Sequence, residues 1–240
     1  ALRLPARHPR RRQDAGVLSL HRARSGRGGL SSLPPLALQV PLLLVLQLWP
    51  GLPAAWRFER ASFEQGAWWQ LLSAQWVHLS LPHALANAAA LLLIAWLLRP
   101  WLSTAIQCGL LAGAVAGVAA VIALDPGCAY YAGFSGALHG WFGGAAVWLA
   151  GRRSSPGLAA LRPISAAPDE TADTGPPPAW PWIMLALLVL KVGLESAGLL
   201  PSAWSFMVYW PSHAAGLAGG LLAACLMRAG ARLMPPARSA

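Results

Sequence analysis

Long apolar stretches, separated by short segments rich in proline, glycine or charge, run through most of the chain. A helix needs about 20 mostly apolar residues to cross a lipid bilayer. Six stretches approach that length, at about 33–50, 79–98, 101–124, 134–151, 180–199 and 211–228. The pattern therefore predicts an all-α, polytopic membrane protein, folded as a bundle of six transmembrane helices.

The amino-acid composition agrees with a membrane protein and disfavours a soluble one. Of the 240 residues, 56% are hydrophobic and only 11% are charged, whereas soluble domains carry about 25% charged residues. The chain also contains 13 Trp, 24 Gly and 21 Pro, and these residue types are frequent in membrane helices or at their interfaces. The lipid bilayer is the first partner that the sequence predicts.

The distribution of basic residues predicts the domain organisation and the orientation. Eight of the 18 basic residues precede residue 28, so we interpret 1–32 as a basic cytoplasmic tail and expect no nucleic-acid partner. The membrane domain is expected at 33–229, with a Pro- and Ser-rich cytoplasmic linker at 152–179 and a cytoplasmic tail at 230–240. This arrangement places 15 of the 18 basic residues on the cytoplasmic side, as the positive-inside rule requires.

Polar residues fall at one depth in three of the predicted helices. His83 and Asn87 lie in the first turns of the second stretch, Ser135 and His139 begin the fourth, and His213 begins the sixth. These three stretches run in the same direction, so a rise of 1.5 Å per residue puts all five side chains in one layer near the outer surface. Polar groups at membrane depth are functional-site candidates.

Small residues predict that the fourth and sixth helices pack closely. Gly133 and Gly136 flank Ser135, and Gly216 and Gly220 follow His213. Small residues at such spacings let membrane helices approach each other. Ser135 and His213 are therefore expected within hydrogen-bond distance.

These residue types suit acyl transfer. A serine hydroxyl becomes a nucleophile when a base removes its proton, and His213 is the candidate base. The side chains of His83 and Asn87 and the backbone N–H of Ser135 are candidate donors to a developing oxyanion. No Asp or Glu lies at this depth on the fourth or sixth stretch, so we expect a Ser–His dyad and no cofactor.

Four further side chains are assigned supporting roles. His78 is expected to position the second helix, and His139, one turn below Ser135, is expected to orient His213. Lys191 and Glu195 are four residues apart in the fifth stretch, so they can form a structural ion pair on one helix face. The alternative for this pair is a substrate-sensing role near the lateral gate.

At these residues the sequence resembles the rhomboid family of intramembrane serine proteases, from about Trp69 to Gly220. Three motifs carry the resemblance: His78-x4-His83-x3-Asn87, Gly133-Phe134-Ser135-Gly136 and His213-x2-Gly216-x3-Gly220. The resemblance implies a six-helix bundle that cleaves single-span membrane proteins. It also implies that the site opens to the outer side of the membrane.

Two departures from the common pattern resemble the rhombosortase branch of the family. His139 stands where most rhomboids have tyrosine, and Lys191-x3-Glu195 is similar to a motif of that branch. This branch is implied to process proteins that end in a GlyGly-CTERM sorting tail. The expected location is then the bacterial inner membrane, with both termini in the cytoplasm and the site facing the periplasm.

Two other functions remain open at this stage. One is a catalytically silent rhomboid-like protein that binds membrane clients, although such proteins typically lose the serine or the histidine. The other is a haem- or metal-binding membrane protein that uses imidazole ligands. Its candidate ligands would be His78, His83, His139 and His213.

Overall fold

The computed structural model describes residues 34–152, 176–200 and 204–233. The predicted tail at 1–32, most of the predicted linker at 152–179 and the end of the tail at 230–240 lie outside these ranges. Within them the chain is mostly helical, as predicted. Each of the six apolar stretches overlaps one of the longer helices.

The longer helices are α1, which follows a 3₁₀ turn at Pro35–Leu38, and α5 to α9. Their bounds are α1 Gln39–Leu48, α5 Leu81–Leu98, α6 Thr104–Leu124, α7 Ser135–Arg152, α8 Trp180–Ser196 and α9 Trp210–Leu233. The connection between α1 and α5 holds three short helices, α2 Leu52–Trp56, α3 Arg60–Glu64 and α4 Gln70–Ser73. Two short strands, β1 Phe58–Glu59 and β2 Tyr130–Tyr131, pair antiparallel.

Three of these helices are long and apolar enough to cross a membrane, namely α5, α6 and α9 up to Ala231. The 3₁₀ turn and α1 together form a shorter apolar segment, Pro35–Leu48. The described chain is thus an all-α membrane protein apart from its two-residue strands, while the count of six spans stays a prediction. Helix α9 continues to Leu233, past the boundary predicted at 229.

Local sequence explains where α5 and α6 begin. The Ser80 hydroxyl accepts a hydrogen bond from the backbone N–H of His83, and the Ser103 hydroxyl accepts one from Ile106. Serine at this position satisfies a helix N–H that has no partner within the helix. Pro82 lies in the first turn of α5, where its missing N–H costs nothing.

Glycines bring the backbones of α7 and α9 together. A Cβ atom on Gly140 would overlap the carbonyl oxygen of Gly216, and one on Gly220 would overlap that of Gly140. Helix α6 packs on the same pair, since a Cβ on Gly117 would overlap the carbonyl of Ala215. This close packing fixes the start of α7 relative to the start of α9.

In the connection between α1 and α5, Arg60 at the start of α3 binds the end of α6. Its guanidinium donates to the carbonyl oxygens of Ile122, Ala123 and Asp125 at 2.5 to 2.9 Å, which satisfies carbonyls that a helix end leaves open. The chain then forms β2 against β1 and turns into α7. The sheet and this arginine cap thereby set the approach to Ser135.

Candidate active site

Ser135 and His213 meet where α7 and α9 begin. Ser135 is the first residue of α7, and its Oγ lies 2.8 Å from Nε2 of His213 in the first turn of α9. A Cβ on Gly136 would lie 2.7 Å from the Ser212 carbonyl oxygen. The predicted approach of the two helices is therefore present, and it makes this contact possible.

A carboxylate also reaches His213, which the sequence analysis did not expect. Glu195 Oε2 lies 2.7 Å from Nδ1 of His213, and Glu195 Oε1 lies 2.5 Å from Nζ of Lys191. The search for an acid on the fourth and sixth stretches missed it because Glu195 comes from α8. Glu195 therefore makes the i,i+4 contact with Lys191 and, through its other oxygen, a contact with His213.

His139 lies against both members of the Ser135–His213 pair. Its Nδ1 is 2.7 Å from the carbonyl oxygen of Ser135. Its ring stacks on the ring of His213, with 4.2 Å between the centroids and 12° between the planes. A carbonyl oxygen can only accept, so Nδ1 of His139 carries a hydrogen and donates it.

His83 and Asn87 lie on the buried face of α5 that looks into the site. Asn87 Nδ2 donates to the carbonyl oxygen of His83 at 3.0 Å, which leaves its second N–H for another acceptor. Gly133 has φ +138°, and a Cβ there would lie 2.8 Å from Cε1 of His83. Gly133 is thus needed both for its backbone conformation and for the close approach of this imidazole.

His78 lies behind His83, just before α5 begins. Its Nε2 accepts from the backbone N–H of Phe134 at 3.4 Å, and its ring stands edge-on to that of His83 with 4.9 Å between the centroids. Burial, and secondarily the neighbouring His83, lowers the pKa of His78 to about 3. His78 is therefore neutral at ordinary pH and holds the residue that precedes the serine.

The comparison with protein families decides the identity of this helical bundle. The family model described as Rhomboid domain matches residues 65–230. This chain belongs to the rhomboid family. Members of that family are typically serine proteases, and all ten predicted site residues of this rhomboid fall inside the matched region. A search of curated proteins finds no significant match.

The rhomboid site opens into a cavity of about 670 Å³. Ser135, His213, His83 and Asn87 contribute to its wall, as does the segment that precedes α9. In that segment Trp204 and Phe206 each place a ring centroid 5.2 Å from that of His83. These aromatic walls escaped the sequence analysis because the segment has no helical periodicity.

The haem or metal alternative can be tested on the same geometry. His139, Glu195 and His213 can bring one ligand atom each within 4.8 Å of one another. The two rings are stacked, however, so their nitrogen lone pairs lie in nearly parallel planes and do not converge on one point. Both nitrogens of His213 and Nδ1 of His139 are already in hydrogen-bond contact. The arrangement suits a hydrogen-bonded site better than a metal centre.

Proposed function

We propose that this rhomboid protein is an intramembrane serine endopeptidase in which Ser135 is the nucleophile and His213 is the general base. The observation that carries the proposal is the 2.8 Å contact between Ser135 Oγ and His213 Nε2. This distance lies within the range expected of a nucleophile and its base. His139 supports the base by stacking on it.

The chemistry follows from these positions. Ser135 Oγ attacks the carbonyl carbon of a peptide bond while its proton passes to Nε2 of His213, and the resulting imidazolium protonates the leaving amine. The negative oxygen of the tetrahedral intermediate lies among donors from Asn87, His83 and the backbone N–H at the start of α7. Water then hydrolyses the acyl-enzyme with His213 again acting as the base.

The substrate class we propose is a single-span membrane protein that ends in a GlyGly-CTERM sorting tail. His139 in place of tyrosine and the Lys191-x3-Glu195 motif support this assignment through their resemblance to rhombosortases. Glycine is also a poor helix former, so a Gly-Gly pair next to a membrane helix is easily extended. An extended backbone is the form that Ser135 Oγ can attack.

The location we propose is the bacterial inner membrane, crossed six times with both termini in the cytoplasm. The excess of basic residues in the predicted cytoplasmic segments supports this orientation. The site, at the starts of α7 and α9, then opens to the periplasm.

A serine-directed fluorophosphonate probe tests the proposal on the full chain in proteoliposomes. The protein is expected to label, and to cleave a reporter that carries Gly-Gly, one apolar helix and a basic C-terminus. The Ser135→Ala variant is expected to do neither. A wild-type protein that neither labels nor cleaves would favour the catalytically silent alternative, and an absorption band in the visible range would favour the haem alternative.

A further inference from the structure

We infer that Glu195 is a positioning residue for His213, so that the site works as a Ser135–His213–Glu195 array instead of a dyad. This inference rests on the proposed function and assigns a third residue to the same site. The three groups form a continuous chain of contacts, 2.8 Å from Ser135 to His213 and 2.7 Å from His213 to Glu195. The contacts involve the two different nitrogens of one imidazole.

The contact with Glu195 decides which nitrogen of His213 carries the hydrogen. An ionised carboxylate can only accept, so Nδ1 of a neutral His213 donates to Oε2 of Glu195. Its Nε2 then has a free lone pair, directed at Ser135 Oγ. This is the tautomer that a base for Ser135 needs.

The carboxylate also stabilises the charge that forms during the reaction. When the proton of Ser135 moves to Nε2, His213 becomes a cation, with the ring of His139 stacked on it and the carboxylate of Glu195 at its Nδ1. The side chains of His213 and Glu195 are only 6% and 13% exposed, so water screens their interaction weakly. Glu195 stays ionised throughout, and the proton leaves His213 only when the amine departs.

Lys191 explains how an ionised carboxylate can occupy this depth. Its ammonium binds Oε1, the oxygen that does not face His213, and its side chain is 42% exposed. An unpaired carboxylate in a membrane segment would be costly, and the lysine compensates it without competing for His213. A purely structural Lys191–Glu195 pair would not require Oε2 to lie against an imidazole.

The test compares wild type, Glu195→Gln and Glu195→Asp, each as the full chain in proteoliposomes. The matched control is Glu59→Gln, which removes the carboxylate at the end of β1 from its ion pair with Arg57. For each variant the rate of fluorophosphonate labelling is measured from pH 5 to pH 9, together with the melting temperature. Labelling reports activation of Ser135 directly and needs no knowledge of the natural substrate.

We expect Glu195→Gln to slow labelling by up to about 10⁴-fold, the loss caused by removing the orienting carboxylate in serine proteases. Its pH profile should also change shape, which a loss of folded protein alone would not cause. Glu195→Asp should recover part of the rate, and Glu59→Gln should react like wild type.

The outcomes separate the two proposals. If wild type does not label, the proposed protease function fails. If wild type labels and a folded Glu195→Gln labels equally fast with the same profile, the inference about Glu195 is wrong. Should Glu195→Gln not fold, ¹⁵N spectra of histidine-labelled wild type decide: hydrogen on Nδ1 of His213 supports the inference, and hydrogen on Nε2 overturns it.

Discussion

The rings of His139 and His213 lie face to face, 4.2 Å apart and within 12° of parallel. The two histidines come from different helices, α7 and α9, and each ring makes a hydrogen bond through its Nδ1. Stacking therefore limits tilting of His213, the proposed base, while the contacts with Ser135 and Glu195 limit its rotation. His139 contributes an aromatic surface to this arrangement, while its own Nδ1–H donates to the carbonyl oxygen of Ser135.

A tyrosine should replace His139 better than an alanine does. His139→Tyr retains a flat ring against His213, whereas His139→Ala removes it, and aromatic pairs contribute about 0.5–1.5 kcal/mol. Relative to wild type we expect His139→Ala to lose about threefold to tenfold in cleavage rate, and His139→Tyr to lose less. Rates for the three proteins across pH, with one substrate, provide the measurement. A His139→Tyr variant as inactive as Ser135→Ala would show that His139 takes part in proton transfer.

Substitution of the nucleophile and the base should not be additive. Ser135→Ala and His213→Ala should each abolish cleavage in a protein that still inserts, and the double variant should be no slower than either one. Residues that act as a unit lose their joint effect at the first substitution. Cleavage of a single-span reporter, followed by gel, measures this. Appreciable turnover by Ser135→Ala would exclude the mechanism.

The donors on α5 should affect rate more than labelling. His83→Ala and Asn87→Ala should each reduce turnover by about 10²–10³-fold, the usual cost of losing one oxyanion donor. Labelling by the probe should slow but remain detectable, because Ser135 and His213 are intact. The comparison uses turnover and labelling on the same preparations. Full activity of Asn87→Ala together with an inactive His78→Ala would contradict the assignment of Asn87 as an oxyanion donor.

Alanine should destabilise the protein at a glycine in the contact between α7 and α9, but not at an open glycine on α8. Gly140→Ala forces a methyl group against the Gly216 carbonyl, and such overpacking costs about 1–3 kcal/mol. Gly193→Ala on α8 meets no atom within 4 Å, so the better helix propensity of alanine should leave stability equal or higher. Melting temperatures in one detergent check both. Equal destabilisation by the two variants would contradict the packing account.

The buried His78 predicts a loss of stability at acidic pH. Its pKa is about 3 in the folded chain against 6.5 for an ordinary histidine, so between these values only the unfolded state takes up the proton. Stability is therefore complete above pH 6.5 and falls as the pH drops, by about 1.4 kcal/mol per unit. His78→Gln can still accept from Phe134 and should lessen the decline between pH 6.5 and 4.5. The free energy of unfolding of wild type and of His78→Gln is measured at each pH. An equal decline in the two proteins would refute the prediction.

Much of the site could be predicted because its residues follow helical spacing. Ser135 and His139 are one turn apart on α7, and the depth of His213 follows from its position at the start of the sixth apolar stretch. Glu195 was assigned only to Lys191, because the i,i+4 rule reports neighbours within one helix. Its contact with His213 depends on how α8 is rotated and placed relative to α9. The periodicity of the sequence within one helix does not show that placement.

The connections between the longer helices were the least predictable part of the fold. β1 and β2 are two residues each, too short for an alternating pattern to show. The contacts of Arg60 with three backbone carbonyls also leave no trace in the sequence, since carbonyls are common to every residue. Gln70 is buried there and accepts from the backbone N–H of Glu59 at 3.1 Å. Short segments of this kind are determined by tertiary contacts.

Glu195 lies on a different helix from Ser135, the proposed nucleophile, and from His213, the proposed base. Ser135 and His213 stand on α7 and α9, which glycines lock together, whereas α8 leans on that pair from one side. Any sideways excursion of α8 that widens an entrance from the lipid would also pull the carboxylate away from His213. Ser135 would then not be fully reactive while a substrate is entering the site. Peptide-bond cleavage would then follow the return of α8 to its position against α7 and α9, with the substrate already bound.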